Sequence, residues 1–250
     1  MTKFEKPQKG NPHQLVVNQH TFPARSIARF ANSSGTVQLR LKADSSVREA
    51  RPTDSMFCAR RVWDQSSEAL FCKKIEDDFQ RLADLIVSGL IVSLNKERMH
   101  AISSFYALWV ARTQLRDQPE KDLNMPGIWP DETRSKEQEE ALEKAGYTFT
   151  RGNLLPARMV NGLAIRAWVM RHLRQVSPTA HWGIIYASGG EFIVPDCSLD
   201  HSFVPISPHI ALANNASNQR LDNSAVRLVN EQLRSTSIRY FFARDFAACP

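Results

Sequence analysis

The chain has 250 residues, 42% of them hydrophobic, enough for a substantial core in one large domain or two small ones. No run approaches the roughly eighteen apolar residues of a membrane span. The first twelve residues contain no hydrophobic signal-peptide core, so we expect neither a membrane protein nor an exported one. The net charge of +6 permits an anionic partner without requiring one.

The cysteines and the charges are unevenly distributed. Four cysteines lie far apart with no C-x-x-C pair, which favours buried thiols in a reducing cytoplasm over disulfides or a zinc finger. Residues 119–150 hold eight acids and four bases, a net charge of −4, so the remainder carries +10. A basic body with an acidic projection is therefore predicted, the alternative being an ordinary solvated surface.

The first half of the chain begins with a predicted flexible lead-in (1–17), followed by one domain over 18–250. TVQLRLKA (36–43) alternates apolar and polar residues, as a half-buried strand does. A helix is predicted from Ser66 or Ser67 to Gly89, because its apolar residues repeat every three or four positions. A second helix is predicted from Asn95 to about Arg116.

The second half begins with a charged loop-helix insert at 119–146, in which Thr133 or Ser135 caps an exposed helix. A further helix is predicted over 156–176. HWGIIYAS (181–188) and EFIVP (191–195) flank Gly189-Gly190, which predicts a hairpin. Extended segments follow at 202–213, and a last helix is predicted over 222–244. The predicted fold is mainly α with a small antiparallel β-sheet (α+β).

Common catalytic motifs are absent. The chain lacks a Walker loop, G-x-G-x-x-G, G-x-S-x-G and H-E-x-x-H, which argues against the corresponding hydrolases and dinucleotide enzymes. No histidine has a partner at metal-ligand spacing. We therefore predict no cofactor and no metal site.

The stretch NQHTFPARSIARFA (18–31) is the first candidate site. His20 beside Arg29 could shuttle a proton to a phosphate held by guanidinium. The alternative is that His20 caps the helix near Pro23 and Arg29 pairs with a carboxylate.

Two pairs of charged residues on the predicted helices add further candidates. Glu68 and Glu76 lie about two turns apart, so they could bind a cation or orient an arginine, unless both are solvated. Arg112 and Arg116 lie one turn apart at a helix C-terminus, which the helix dipole alone explains, yet they also suit phosphate.

Asp196 is the last catalytic candidate, because it directly follows an apolar strand, where active-site acids often lie; a turn-forming role is the alternative. Basic residues with nearby tryptophans could line a nucleic-acid groove. The predicted nucleic-acid-binding residues are Arg116, Arg158, Arg166, Arg171 and Arg174.

In their order, these landmarks resemble a bacterial family of unknown function, domain-of-unknown-function family 4238. The family opens with His-x-x-Pro and an Ile/Leu-x-Arg-Phe-Ala segment, matched here by His20, Pro23, Ile27, Arg29, Phe30 and Ala31. An Ala-x-Arg-Thr-like element follows, here with Arg112-Thr113. Of the family's later Ser-Asp-Asn-Pro element this chain, with Pro195-Asp196-Cys197-Ser198, retains only Asp196. Its Pro-Leu-Ser-Pro phrase corresponds to Pro205-Ile206-Ser207-Pro208.

Burying polar residues singly would cost several kcal/mol each, so we expect His20, Arg29, Glu76, Arg112 and Asp196 to meet in one polar cleft. The favoured hypothesis is a nucleic-acid-directed bacterial protein of the defence or mobile-element kind. It would bind RNA or DNA, and could cleave RNA as a phosphodiesterase of ribonuclease type.

Two other hypotheses remain. The second is a non-enzymatic inhibitor that docks on a nucleoprotein complex, its acidic helix imitating a phosphate backbone. The third, weaker, is a metal-dependent hydrolase using Glu68, Glu76 and Asp196. The sequence does not indicate an oligomeric state.

Overall fold

The structure, a computed structural model, describes residues 5–128, 134–175, 180–197 and 202–250. Thr133, Val176 and Ser198, which the sequence analysis placed at a helix cap, a helix end and a family motif, lie outside these ranges. None of the helices in these ranges is both long and apolar enough to cross a bilayer. The helices are α1 (Ala24–Ala28), α2 (Lys73–Val87), α3 (Lys96–Asp117), α4 (Lys136–Lys144), α5 (Ala157–Gln175) and α6 (Asn223–Thr236).

The predicted helices at 66–89 and 95–116 are confirmed. A π-helical turn, Ser67–Cys72, leads into α2, and Gly89 follows it with a φ of +74°. The carboxylate of Asp64, rather than a serine, accepts a hydrogen bond from the Ser67 amide at 2.9 Å. Asn95 caps α3 by accepting from the Arg98 amide. Local spacing and capping therefore specify these helices.

The strands are short and more numerous than expected. The first six are β1 (Asn18–His20), β2 (Val37–Leu41), β3 (Val47–Ala50), β4 (Cys58–Arg60), β5 (Leu123–Asn124) and β6 (Leu154–Leu155). The others are β7 (Trp182–Ala187), β8 (Val194–Pro195), β9 (Phe203–Ser207), β10 (Ile210–Asn214), β11 (Gln219–Leu221) and β12 (Tyr240–Ala243). The strand predicted at 36–43 is confirmed as β2.

The prediction of a mainly α fold with one small antiparallel sheet is wrong. The described residues are 42% helical and 19% strand, and their strands form four separate sheets. Two sheets have four strands each, in the orders β3-β2-β12-β8 and β11-β7-β10-β9, and two are strand pairs, β1-β4 and β5-β6. Most of the strands have five residues or fewer, too short for their alternation to be read in a sequence. The fold is α+β with several small sheets.

The end of the chain departs most from the prediction. The helix expected over 222–244 ends at Thr236, and Tyr240–Ala243 form β12, which pairs with β2 and β8. All four residues of β12 are buried, and a continuous apolar run of this length does not distinguish a strand from a helix turn. The hairpin predicted around Gly189-Gly190 is also wrong, because β7 pairs with β10 and β11, whereas β8 pairs with β12.

The main core lies where α2 and α3 pack against the two four-stranded sheets. Phe79 of α2 and Phe105 of α3 stack with ring centroids 3.7 Å apart. Phe242 of β12 contacts Phe22, Phe30 and Phe57 through tilted or edge-on rings. Such aromatic contacts bury large apolar areas, so they fix α3 firmly under the N-terminal strands.

The lead-in and the charged insert contact each other. The backbone amide of Gln8 donates to Glu140 of α4 at 2.9 Å, and the ammonium of Lys144 donates to the carbonyl of Gln14 at 3.2 Å. The expectation of an exposed, projecting acidic helix is wrong, because Glu139, Glu140 and Glu143 are all buried. Ser135 caps α4 through a capping box with Gln138, as one of the two predicted caps.

Replacing Gly162 of α5 by alanine should destabilise the protein. An added Cβ would lie 1.7 Å from Oδ2 of Asp64, the side chain that caps the π-helical turn. We expect a loss of at least about 2 kcal/mol in the free energy of unfolding, measured by urea denaturation. Ala167→Gly, at an exposed position of the same helix, is the control and should cost about 1 kcal/mol. A stabilising effect of Gly162→Ala, as expected in an open helix interior, would contradict this packing.

Candidate functional site

The second half of α3 holds two buried arginines on one face. Arg112 and Arg116 lie one helical turn apart, and their side chains are 1% and 3% exposed. Both are close to the helix C-terminus, where cations are favoured. Each organises its own group of carboxylates, and β1 and β4 lie beside both groups.

Arg112 binds two carboxylates and one carbonyl. Its Nη2 donates to Oε2 of Glu68 at 2.8 Å, and its Nη1 donates to the carboxylate of Glu76 and, at 2.9 Å, to the carbonyl oxygen of His20. The two glutamates lie on the π-helical turn and on α2. Their carboxylates orient an arginine, one of the three interpretations that the sequence left open.

Aromatic and apolar groups surround this network. The guanidinium carbon of Arg112 lies 5.4 Å from the centroid of the Trp63 ring, and the Trp63 indole N–H donates to Glu68 at 2.6 Å. Burial raises the pKa of Glu76, although the charge of Arg112 opposes the rise. Burial also raises the pKa of the Cys72 thiol to about 12, so this cysteine is not a nucleophile at neutral pH.

His20 lies at the edge of the Arg112 network. Its Nε2 is 3.1 Å from the carbonyl oxygen of Pro52, an acceptor, so Nε2 carries a proton. Burial lowers the pKa of His20 below the usual value for histidine, and the charge of Arg112 lowers it further. A neutral ring whose Nε2–H is already bonded is poorly prepared to act as a general acid at pH 7.

Arg116 organises the second group. Its Nη2 lies 3.1 Å from Oδ2 of Asp196, and its Nε donates to Asp117 at 2.9 Å. The Asp196 carboxylate also accepts the backbone N–H groups of Ile238, at 2.8 Å, and Arg239, at 2.9 Å. Burial raises the pKa of Asp196, against the opposing effects of Arg116 and the two amides. Asp196 therefore joins β8 to the segment that leads into β12.

The five predicted catalytic residues are not all brought together. His20, Glu76 and Arg112 meet in one network, and Asp196 lies in the neighbouring Arg116 network. Arg29 is placed elsewhere, because its guanidinium binds the Asp84 carboxylate at 2.7 Å and the Gln80 carbonyl at 3.2 Å. The single cleft expected from the sequence is thus two adjacent ion-pair networks and one separate pair.

The three acids proposed for a metal-dependent hydrolase are divided as well. Arg112 engages Glu68 and Glu76, whereas Arg116 engages Asp196. Within the described ranges, no three or more His, Cys, Asp or Glu residues are placed to hold a metal ion. This geometry gives the metal-dependent hypothesis no support.

The five predicted nucleic-acid-binding arginines do not line one groove. Arg116 and Arg158 are buried in ion pairs, and Arg166 donates to the Ser66 hydroxyl at 2.9 Å. Arg171 and Arg174 are exposed, but they lie thirteen or more residues along α5 from Arg158, or roughly 20 Å.

Two exposed arginines outside the five predicted nucleic-acid-binding residues line a cavity together with Arg116. Arg60 of β4 and Arg239, together with Arg116, line a cavity of about 480 Å³, named here the Arg239 cavity. Its other lining residues are Asn18, Ser55, Cys58, Ala59 and Val62. Arg60 and Arg239 are about 180 residues apart in sequence, so their proximity is seen in the folded structure and not in the sequence.

A second cavity adjoins the first, since Arg60 and Val62 line both. This Arg158 cavity has a volume of about 570 Å³ and is lined by Arg61, Arg151 and Arg158, among others. Glu143 of α4 binds Arg61 at 2.7 Å and Arg158 at 2.8 Å, and all three side chains are at most 4% exposed. A buried Arg–Glu–Arg triad thus forms one wall of the cavity.

No protein-family model, curated protein or solved structure matches this chain. The resemblance to domain-of-unknown-function family 4238 therefore stays a prediction. What the chain does has to be argued from its own geometry.

Proposed function

We propose that the protein binds nucleic acid, RNA or DNA, by its phosphate backbone across the Arg239 cavity. The observation that carries this proposal is the grouping of three guanidinium groups, those of Arg60, Arg116 and Arg239, around one open cavity. Guanidinium groups bind phosphate oxygens with paired hydrogen bonds. The overall charge of +6 favours the approach of such a polyanion.

The two carboxylates that pair with arginines of the Arg239 cavity in the described ranges, those of Asp196 and Asp117, differ in how firmly they are held. Asp196 is fully buried under Arg116 and is saturated by backbone amides. Asp117 pairs with Arg116 and lies 3.5 Å from Arg239, whose side chain remains 46% exposed. Arg239 can therefore exchange a weak surface ion pair for a phosphate at little cost.

Cleavage of RNA stays a prediction. The neutral state of His20 and the separate position of Arg29 do not support the acid catalysis expected from the sequence. The structure gives little support to the alternative of an inhibitor with an exposed acidic helix. Its glutamates at 139, 140 and 143 face inward, and those at 139 and 143 bind arginines.

The proposal is tested by the salt dependence of binding to a labelled single-stranded oligonucleotide. Arg239→Ala should weaken binding severalfold and reduce the slope of log affinity against log salt by about one. Lys96→Ala is the matched control, because it removes one exposed positive charge at the opposite end of α3, about 30 Å away. Equal effects of the two substitutions, or no binding at low salt, would refute the proposal. Electrophoresis of the RNA after incubation tests cleavage.

We also propose a cytoplasmic location and a bacterial defence or mobile-element setting, as the sequence suggested. The location is supported by the four cysteines, which are buried and form no disulfide. The setting depends on the family resemblance alone.

A further inference from the structure

The Arg158 cavity contains guanidinium groups that the protein does not saturate. Nε of Arg61 and Nη2 of Arg158 are buried and have no hydrogen-bond partner in the part of the chain that is described. Both arginines are at most 4% exposed. A buried donor without an acceptor costs free energy, so these groups are suited to an additional anion.

A carboxylate of the lead-in already occupies this position. Oε2 of Glu5 lies 2.6 Å from Nη1 of Arg158, and Oε1 lies 2.5 Å from Nη2 of Arg151. The backbone carbonyl of Glu5 accepts from Arg61 at 3.2 Å. The side chain of Glu5 is 35% exposed. Glu5 belongs to the lead-in, which precedes β1. Its carboxylate therefore sits where an exogenous anion would bind.

The charges around the cavity favour such an exchange. Apart from Glu5, the carboxylates that bind these three arginines within the described ranges are those of Glu139 and Glu143. Displacement of Glu5 would remove one negative charge from beside these arginines, and Lys6 also lines the cavity.

Two acids in the lining have other roles. Asp122 accepts the Ala157 amide at 2.7 Å and so caps α5, and the Glu120 backbone amide donates to Asn161 at 2.8 Å. Both side chains are exposed, so solvent screens their repulsion of an anion.

We infer that the Arg158 cavity binds the terminal phosphate monoester of a nucleic-acid strand, and that Glu5 fills the cavity until the phosphate displaces it. This inference rests on the proposed function, because Arg60 lines both cavities and a strand crossing the Arg239 cavity ends at the Arg158 cavity. A terminal phosphate carries a charge of about −1.5 to −2 and three acceptor oxygens. It thus offers more charge and one more acceptor to the three arginines than the carboxylate of Glu5 or an internal phosphodiester does.

The test compares oligonucleotides of one sequence that carry a phosphate or a hydroxyl at the 5′ end, and likewise at the 3′ end. Full-length protein should bind one phosphorylated end about tenfold more tightly than its hydroxyl counterpart, measured by fluorescence anisotropy. Glu5→Gln should increase this preference, because a neutral amide competes less with phosphate. Glu231→Gln, which removes one exposed negative charge on α6, should not change it.

The outcomes distinguish failure of the inference about the terminal phosphate from failure of the proposed function. Equal affinity for phosphate and hydroxyl at both ends would overturn the inference and leave backbone binding intact. A reduced preference in Glu5→Gln would overturn the displacement of Glu5. Arg239→Ala should weaken both oligonucleotides by the same factor. Failure of every oligonucleotide to bind would overturn both proposals.

Discussion

Replacing Arg112 by leucine should lower the free energy of unfolding by about 3–5 kcal/mol at neutral pH. The substitution removes the cation that both Glu68 and Glu76 bind and leaves the His20 carbonyl without its donor. Neither carboxylate is more than 21% exposed, so water can only partly replace the arginine. Chemical denaturation followed by tryptophan fluorescence measures the loss.

The same loss should depend on pH. Burial already raises the pKa of Glu76 in the presence of Arg112, and removal of the arginine raises it further. A carboxyl group whose folded pKa exceeds its unfolded pKa destabilises the fold above the unfolded value and not below it. The defect should therefore shrink as the pH falls through the folded pKa of Glu76 towards the ordinary glutamate pKa of 4.5. A defect that is independent of pH would contradict this account.

The control for this prediction is Arg25→Leu. Arg25 pairs with Asp84 on the surface, and its side chain is 62% exposed. Its loss should cost less than about 1 kcal/mol, because exposed ion pairs contribute little. If both substitutions had similar effects, the burial of the Arg112 network would not be the cause.

Glu143→Gln should destabilise the protein by about 3 kcal/mol or more. The amide retains the shape of the side chain but leaves Arg61 and Arg158 without the buried charge that they share. Glu137→Gln, on the same helix, removes the same charge from a side chain that is 59% exposed. It should change stability by no more than about 0.5 kcal/mol. Comparison of the melting temperatures of the two variants decides whether α4 packs against the rest of the protein or projects into solvent.

The helices could be predicted because their determinants are local. Apolar residues at helical spacing and a polar cap define α2 and α3, and these features lie within about twenty residues of each other. The sheets depend on partners far apart in the chain, as β12 with β2. Nothing in the sequence of Tyr240–Ala243 indicates which strand it joins, so both its structure and its position were missed.

The site was predictable to a similar extent. The spacing of Glu68 and Glu76 is compatible with a cation, an arginine partner or two solvated charges, and Arg112 is a separate candidate from the sequence. The burial of Glu143 could not be foreseen, because helix patterns assign charged faces to solvent unless a buried cation is known. A local feature that places two carboxylates on the same face of α4 is the spacing of Glu139 and Glu143, which is one helical turn.

The central place of β12 constrains how the chain can be made. Its Tyr240 lies opposite Leu41 of β2. About 200 further residues must therefore be synthesised after β2 before β12 can pair with it. During translation, the apolar side chains of β2 therefore do not yet have all of their final packing partners. Folding of this half of the molecule should therefore be late, slow and sensitive to chaperones, whereas the α2–α3 pair can assemble early.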